Sequence, residues 1–73
     1  MTSAPPYATL LRVRKIGESY VVADINGVAL AYVYFEDEAT RRGLINRLSN
    51  VDAKAVAQMI ARALTESAGE AKL

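Results

Sequence analysis

Asp24-Ile25-Asn26-Gly27, set between two segments rich in Val, Ile, Tyr and Ala, constrains this chain more than any other stretch. Asn-Gly tolerates two successive positive-φ residues, which a type I′ turn needs to match the twist of paired strands. The dipeptide therefore predicts a two-residue hairpin joining a strand over residues 19–25 to one over residues 28–35. Gly17-Glu18 reads as a second tight turn, with Gly at the first central position as type II′ prefers, preceded by a strand over residues 9–16. Three sequential antiparallel strands make a meander.

Pairing through the two turns sorts the side chains by face. With Ile25 opposite Val28, Val22 lies opposite Ala31 and Tyr20 opposite Val33; with Ile16 opposite Ser19, Val13 lies opposite Val22. One face then carries Leu11, Val13, Tyr20, Val22, Ala29, Ala31, Val33 and Phe35. The other carries Leu10, Arg12, Arg14, Val21, Ala23, Leu30, Tyr32 and Tyr34, and its two arginines make it the wetter one. Helices are expected on the Val22/Ala31/Val33 face, where the alanines leave room for close approach.

Two helices follow. Glu36-Asp37-Glu38 places carboxylates where a helix N-terminus favours them, predicting a first helix over residues 38–48. Leu44, Ile45 and Leu48 would point inward and Arg41, Arg42 and Arg47 outward, with Gly43 weakening the helix by about 1 kcal/mol relative to Ala. Ser49 offers an N-cap with Asp52 three residues on, predicting a second helix over residues 50–65. Its buried stripe is Ala53, Val56, Ala57, Ile60 and Leu64, with Lys54, Gln58 and Arg62 outside. The expected fold is a single α+β domain over residues 8–65: a three-stranded antiparallel β-meander followed by two α-helices packed on one sheet face. Residues 1–7, with Pro5-Pro6, and residues 66–73 are expected to be flexible tails.

Composition removes several kinds of function. Seventy-three residues allow one domain, and the hydrophobic fraction of 52% predicts a folded one. Cysteine and histidine are absent, so no disulfide or thiolate metal site is expected and no cofactor is implied. A formal charge of +1 is far from that of a strongly basic nucleic-acid binder. Residues 1–7 lack the basic and apolar parts of a secretory signal, and the apolar run from Val28 to Phe35 is too short for a membrane span. A cytoplasmic, soluble protein is the expectation.

Three constellations bear on chemistry. Glu36, Asp37 and Glu38 could be imagined on a divalent ion, but a calcium loop needs alternating ligands and a turn glycine that are missing, and helix-terminal charge explains them. Arg41 and Arg42 are a lesser anion-site candidate, set against a solvated helix face on which Glu38 and Arg42 pair at i,i+4. Arg12 and Arg14 share the uncovered face with Tyr32, Tyr34, Leu30 and Val21. That mixture suits a protein interface, including self-association into a homodimer. Arg stems lying over Tyr rings on a solvated sheet are the plain alternative. Single-stranded nucleic acid, stacking its bases on tyrosine, is a further one that near-neutral charge disfavours. With no histidine, cysteine, GxSxG or P-loop pattern, the chain is expected not to be an enzyme.

The run from Ala23 to Glu38, Ala-Asp-Ile-Asn-Gly-Val-Ala-Leu-Ala-Tyr-Val-Tyr-Phe-Glu-Asp-Glu, followed by Arg41-Arg42, resembles a family of small alphaproteobacterial proteins. Their pattern is D-x-NG-x-x-LAYVYFEDE-x-x-RR, followed by a Ser/Thr-capped, Ala-rich helix that Ser49, Ala53, Val56, Ala57, Ile60 and Ala61 match. The likeness covers residues 19–64. The family pattern has Pro where this chain has Ala39 and a smaller polar residue where it has Val28. The resemblance implies a bacterial, cytoplasmic protein and carries no activity, so no site residue is transferred. The function expected is therefore a small non-enzymatic protein-interaction module.

Overall fold

The computed structural model describes residues 5–71. Strands β1 (Leu11–Ile16), β2 (Ser19–Asp24) and β3 (Ala29–Tyr34) form one antiparallel sheet in the order β1-β2-β3, followed by helices α1 (Ala39–Ile45) and α2 (Asn50–Ala71). This is the α+β meander-then-helices architecture anticipated above. Val13 pairs with Val22, Val22 with Ala31 and Tyr20 with Val33, as the turns implied. Helix α2 lies across all three strands. Under it Tyr20, Val22, Phe35, Ala53 and Ala57 form the core, with Leu11, Val13, Ala31, Val33, Ile60 and Leu64 packed around them.

The first turn is as expected: Gly17 has φ +58 and Glu18 does not, matching the II′ pattern, and the Ser19 hydroxyl donates to the Ile16 carbonyl at 2.9 Å. The second turn is not the predicted I′. Gly27 N–H donates to the Asp24 carbonyl and Asp24 N–H to the Val28 carbonyl. Gly27 sits at φ +85, while neither Ile25 nor Asn26 has positive φ. The loop is thus three residues long, a type I turn closed by a left-handed glycine bulge. The cause is Asp24, whose Oδ1 accepts the N–H groups of both Asn26 (2.9 Å) and Val28 (3.0 Å) and so fixes the turn one residue early. A second bulge between Val22 and Ala23 restores the expected register from Ala31 onward. Ala29 pays for it: placed by sequence on the covered face, it instead pairs with Ala23 and is exposed. Gly27→Val, forcing a β-branched residue into the left-handed region, is expected to cost about 1–2 kcal/mol in urea denaturation. A variant as stable as wild type would mean the turn is built differently.

Asp24 is also an anchor for the chain end. Its Oδ2 accepts the Ala8 N–H at 3.1 Å. The bonds from Ala8, then Val28, then Asn26 outweigh burial and hold its carboxyl below the usual value. Bonds from Arg41 N–H and Thr40 N–H do the same for Glu38, the N-cap of α1. A folded-state pKa below the unfolded one contributes stability above the unfolded value and loses it as pH falls through the folded one. Stability is therefore expected to be flat near neutrality and to drop below about pH 4. Asp24→Asn, which turns a donor toward Ala8, should flatten that acid limb and lower stability at neutral pH. Equal pH profiles for variant and wild type would contradict this role.

The helices correct the sequence reading in several places. Helix α1 stops at Ile45, because Asn46 takes a left-handed conformation (φ 54, ψ 45). Leu44, Ile45 and Leu48 therefore never form an inward stripe: Leu44 is 76% exposed and α1 buries no residue. Polar ties hold α1 instead. Arg42 donates to the carbonyls of Glu36 (2.8 Å) and Asp37 (2.9 Å), so the expected Glu38–Arg42 pair is replaced by capping and backbone contacts. Leu48 runs beside Phe35, accepting the Glu36 N–H at 2.8 Å and covering the end of the β3 edge.

Ser49 caps α2 as anticipated, its hydroxyl accepting the Asp52 N–H at 3.2 Å, while Asp37 accepts the Asn50 N–H at 3.1 Å. Asn50 in turn accepts the Tyr20 hydroxyl, tying the helix start to the centre strand. The expected tail over residues 66–73 is helical to Ala71, since the segment is rich in helix formers and Ala68 is buried. One turn before Ala68, the Tyr7 hydroxyl donates to the Leu64 carbonyl at 2.8 Å, so part of the expected N-terminal tail is docked on α2. The remaining parts of the two expected tails, residues 1–4 and 72–73, lie outside the described residues.

Candidate interaction face

The β-register assembles the face that α2 leaves open. In one cross-strand row Arg14, Val21 and Tyr32 lie side by side; in the next, Ile16, Ser19 and Tyr34. Arg12 pairs with Ala23 beyond them. Neighbours in such rows touch on one face of the sheet. Tyr32 is 55% and Tyr34 53% exposed, and Arg12 and Arg14 are exposed beside them. Leu10, Ile16 and Val28 expose about half of their surface as well.

Two of the residues expected to lie uncovered do not. Val21 is only 4% exposed although no helix lies over it, and Leu30 is half-buried. Val21 sits in the middle strand, flanked in the register by the larger Arg14 and Tyr32. The surface on offer is therefore made by its outer strands, with Val21 as the floor. The Tyr32 and Tyr34 rings stand nearly parallel, centroids 6.3 Å apart at 15°.

Arg47 joins this face, which sequence reasoning missed. Its guanidinium lies 5.1 Å from the Tyr34 ring centroid, and its Nη1 is 3.1 Å from Glu18 Oε2 at the β1–β2 turn. The position depends on the left-handed Asn46, which turns the chain back toward the sheet; helical spacing alone gave no sign of it. Arg12 and Arg14, by contrast, make no ion pair among the described residues.

The Arg41/Arg42 candidate lies on α1, after β3. Arg41 Nε is 3.5 Å from Glu36 Oε1, an ion pair too poorly aligned to be a hydrogen bond, and Arg42 is committed to backbone carbonyls. Glu36, Asp37 and Glu38 are likewise engaged: with Arg41, with the start of α2 and with the start of α1. Among the described residues no group of three His, Cys, Asp or Glu side chains is placed to hold a metal ion. No helix among them is long and apolar enough to cross a membrane.

The class these features define is a small α+β protein with one helix-covered and one open sheet face, the open one bearing arginine and tyrosine. No protein family, curated protein or solved structure matches the chain.

Proposed function

We propose that this protein is a small interaction module, not an enzyme, that docks a partner protein on its open sheet face. The observation that carries the reading is the coexistence of half-exposed Tyr32 and Tyr34 with exposed Arg12 and Arg14 on one ordered surface. Tyr and Arg are the residues most enriched at the centres of protein interfaces. They sit here on a pleated sheet, whose side chains need little reordering on binding, which lowers the entropic cost of association. The lack of cysteine and the resemblance to a bacterial family support a cytoplasmic setting.

The test compares proteins retained from source cells by wild type, by Tyr32→Ser/Tyr34→Ser and by Leu44→Ser, an exposed apolar position away from the face. The tyrosine variant is expected to keep its far-UV spectrum and lose partners by tenfold or more, since interface anchors are each worth about 2 kcal/mol or more. Leu44→Ser should retain them. Identical retention by wild type and the tyrosine variant would contradict the proposal. Sedimentation across concentration reports whether the partner is a second copy, and recovery of nucleic acid alone would also contradict it.

A further inference from the structure

The open face is polarised in charge as well as in shape. Among the described residues Arg12, Arg14 and Arg47 share that face with one carboxylate, Glu18 at the rim, already bound to Arg47. Off it the described side chains are five cations (Lys15, Arg41, Arg42, Lys54 and Arg62) against six anions (Asp24, Glu36, Asp37, Glu38, Asp52 and Glu66). The face is thus cationic beside a described remainder that is slightly anionic. Arg12 and Arg14 alternate along β1, two strand spacings, or about 10 Å, from the tyrosine row on β3. An extended segment lying along β2 would meet guanidinium groups on one side and aromatic rings on the other.

A second copy does not supply what such a surface wants. Face to face about an axis across the strands, it would set Arg12 and Arg14 against the same pair; about an axis along the strands it would lay them over Tyr32 and Tyr34 and bring no carboxylate but Glu18. Its acidic loop is no better, because Glu36, Asp37 and Glu38 are each held within their own molecule. Unpaired bases are disfavoured too. Arg47 already lies over the Tyr34 ring, and the two tyrosines stand against each other.

We propose that the occupant of this face is an acidic segment of another protein, its carboxylates taken by Arg12 and Arg14 and an apolar side chain seated on Tyr32. The inference rests on the docking role proposed above and adds the partner's chemistry. Arginine suits this task because its planar fork binds a carboxylate through two hydrogen bonds. Glu18 competes with the incoming segment for Arg47, so its removal should strengthen binding.

The experiment titrates the isotopically labelled full chain, at low salt, with short peptides of alternating Glu and Leu, Gln and Leu, or Lys and Leu, and with oligo-thymidine. The Glu-Leu peptide is expected to shift the resonances of Arg12, Arg14, Tyr32 and Tyr34 and to bind about tenfold tighter than Gln-Leu, with affinity falling as salt rises. Arg14→Gln should weaken it about tenfold and Glu18→Gln should tighten it several-fold, two effects of opposite sign on exposed positions. Equal binding of Gln-Leu and Glu-Leu to the face would overturn the acidic preference while leaving the docking role standing. Tighter binding of oligo-thymidine, or no response to any peptide, would overturn the proposal, the docking role then being decided by the tyrosine variants in the cell-extract comparison.

Discussion

Phe35→Ala is expected to cost about 3–5 kcal/mol of folding stability, the range for removing a buried phenylalanine. Domains of this size have about 0.05–0.15 kcal/mol per residue in total, so the loss approaches the whole margin. Phe35 is where the elements converge. Its ring is buried and lies 5.5 Å from that of Tyr20, and the Lys15 ammonium sits 5.4 Å from its centroid on the rim. Its N–H donates to the Glu18 carbonyl at 2.9 Å and its backbone pairs with Leu48. Alanine would leave a cavity under α2 at the one point where sheet, loop and helix meet. Urea denaturation should show the transition midpoint collapse toward zero, while Phe35→Leu, which keeps most of the volume, should lose far less. A Phe35→Ala protein within about 1 kcal/mol of wild type would mean that the core is centred elsewhere.

Ala57→Leu carries the second large effect, from crowding. Ala53 and Ala57 are fully buried, and Val22 opposite them is fully buried as well. They are the contact points where α2 comes down on the sheet. A leucine at residue 57 has no free volume to enter, so α2 must lift or turn and release Val22, Val33 and Ile60 from their contacts. Overpacking of this kind costs about 1–3 kcal/mol. Lys54→Leu, on the exposed side of the same helix, adds similar bulk where nothing opposes it and should change stability by less than about 0.5 kcal/mol. A thermal melt separates the two variants. Equal melting temperatures would show that the alanine stripe does not set the helix–sheet distance.

The register was readable because alternation in a strand is rigid: once Val22 faces the core, Tyr20 and Val33 follow and Tyr32 cannot. The hairpin was readable in place but not in type, since the pattern Asn-Gly fits either turn and the decision lay with the Asp24 carboxylate. That carboxylate also bonds Ala8, a contact sixteen residues back that no local rule anticipates. Helix α1 was misjudged because its apolar residues have the spacing of a buried stripe. The left-handed turn at Asn46 breaks that spacing before Leu48, and polar bonds from Glu38 and Arg42 hold the helix without burial. On the candidate face, Arg12, Arg14, Tyr32 and Tyr34 followed from parity alone. Arg47 did not, because its place over Tyr34 depends on the path of a loop, and Val21, buried in the middle strand between Arg14 and Tyr32, proved to be floor.

Nuclear Overhauser contacts from the methyl groups of Ala53 and Ala57 decide directly which side of the sheet the helix covers. Cross-peaks to Val22 and Val33, with none to the rings of Tyr32 or Tyr34, are the outcome that leaves arginine and tyrosine free to meet a partner. Cross-peaks from either alanine to Tyr32 would put the helix on the opposite side and remove the proposed surface.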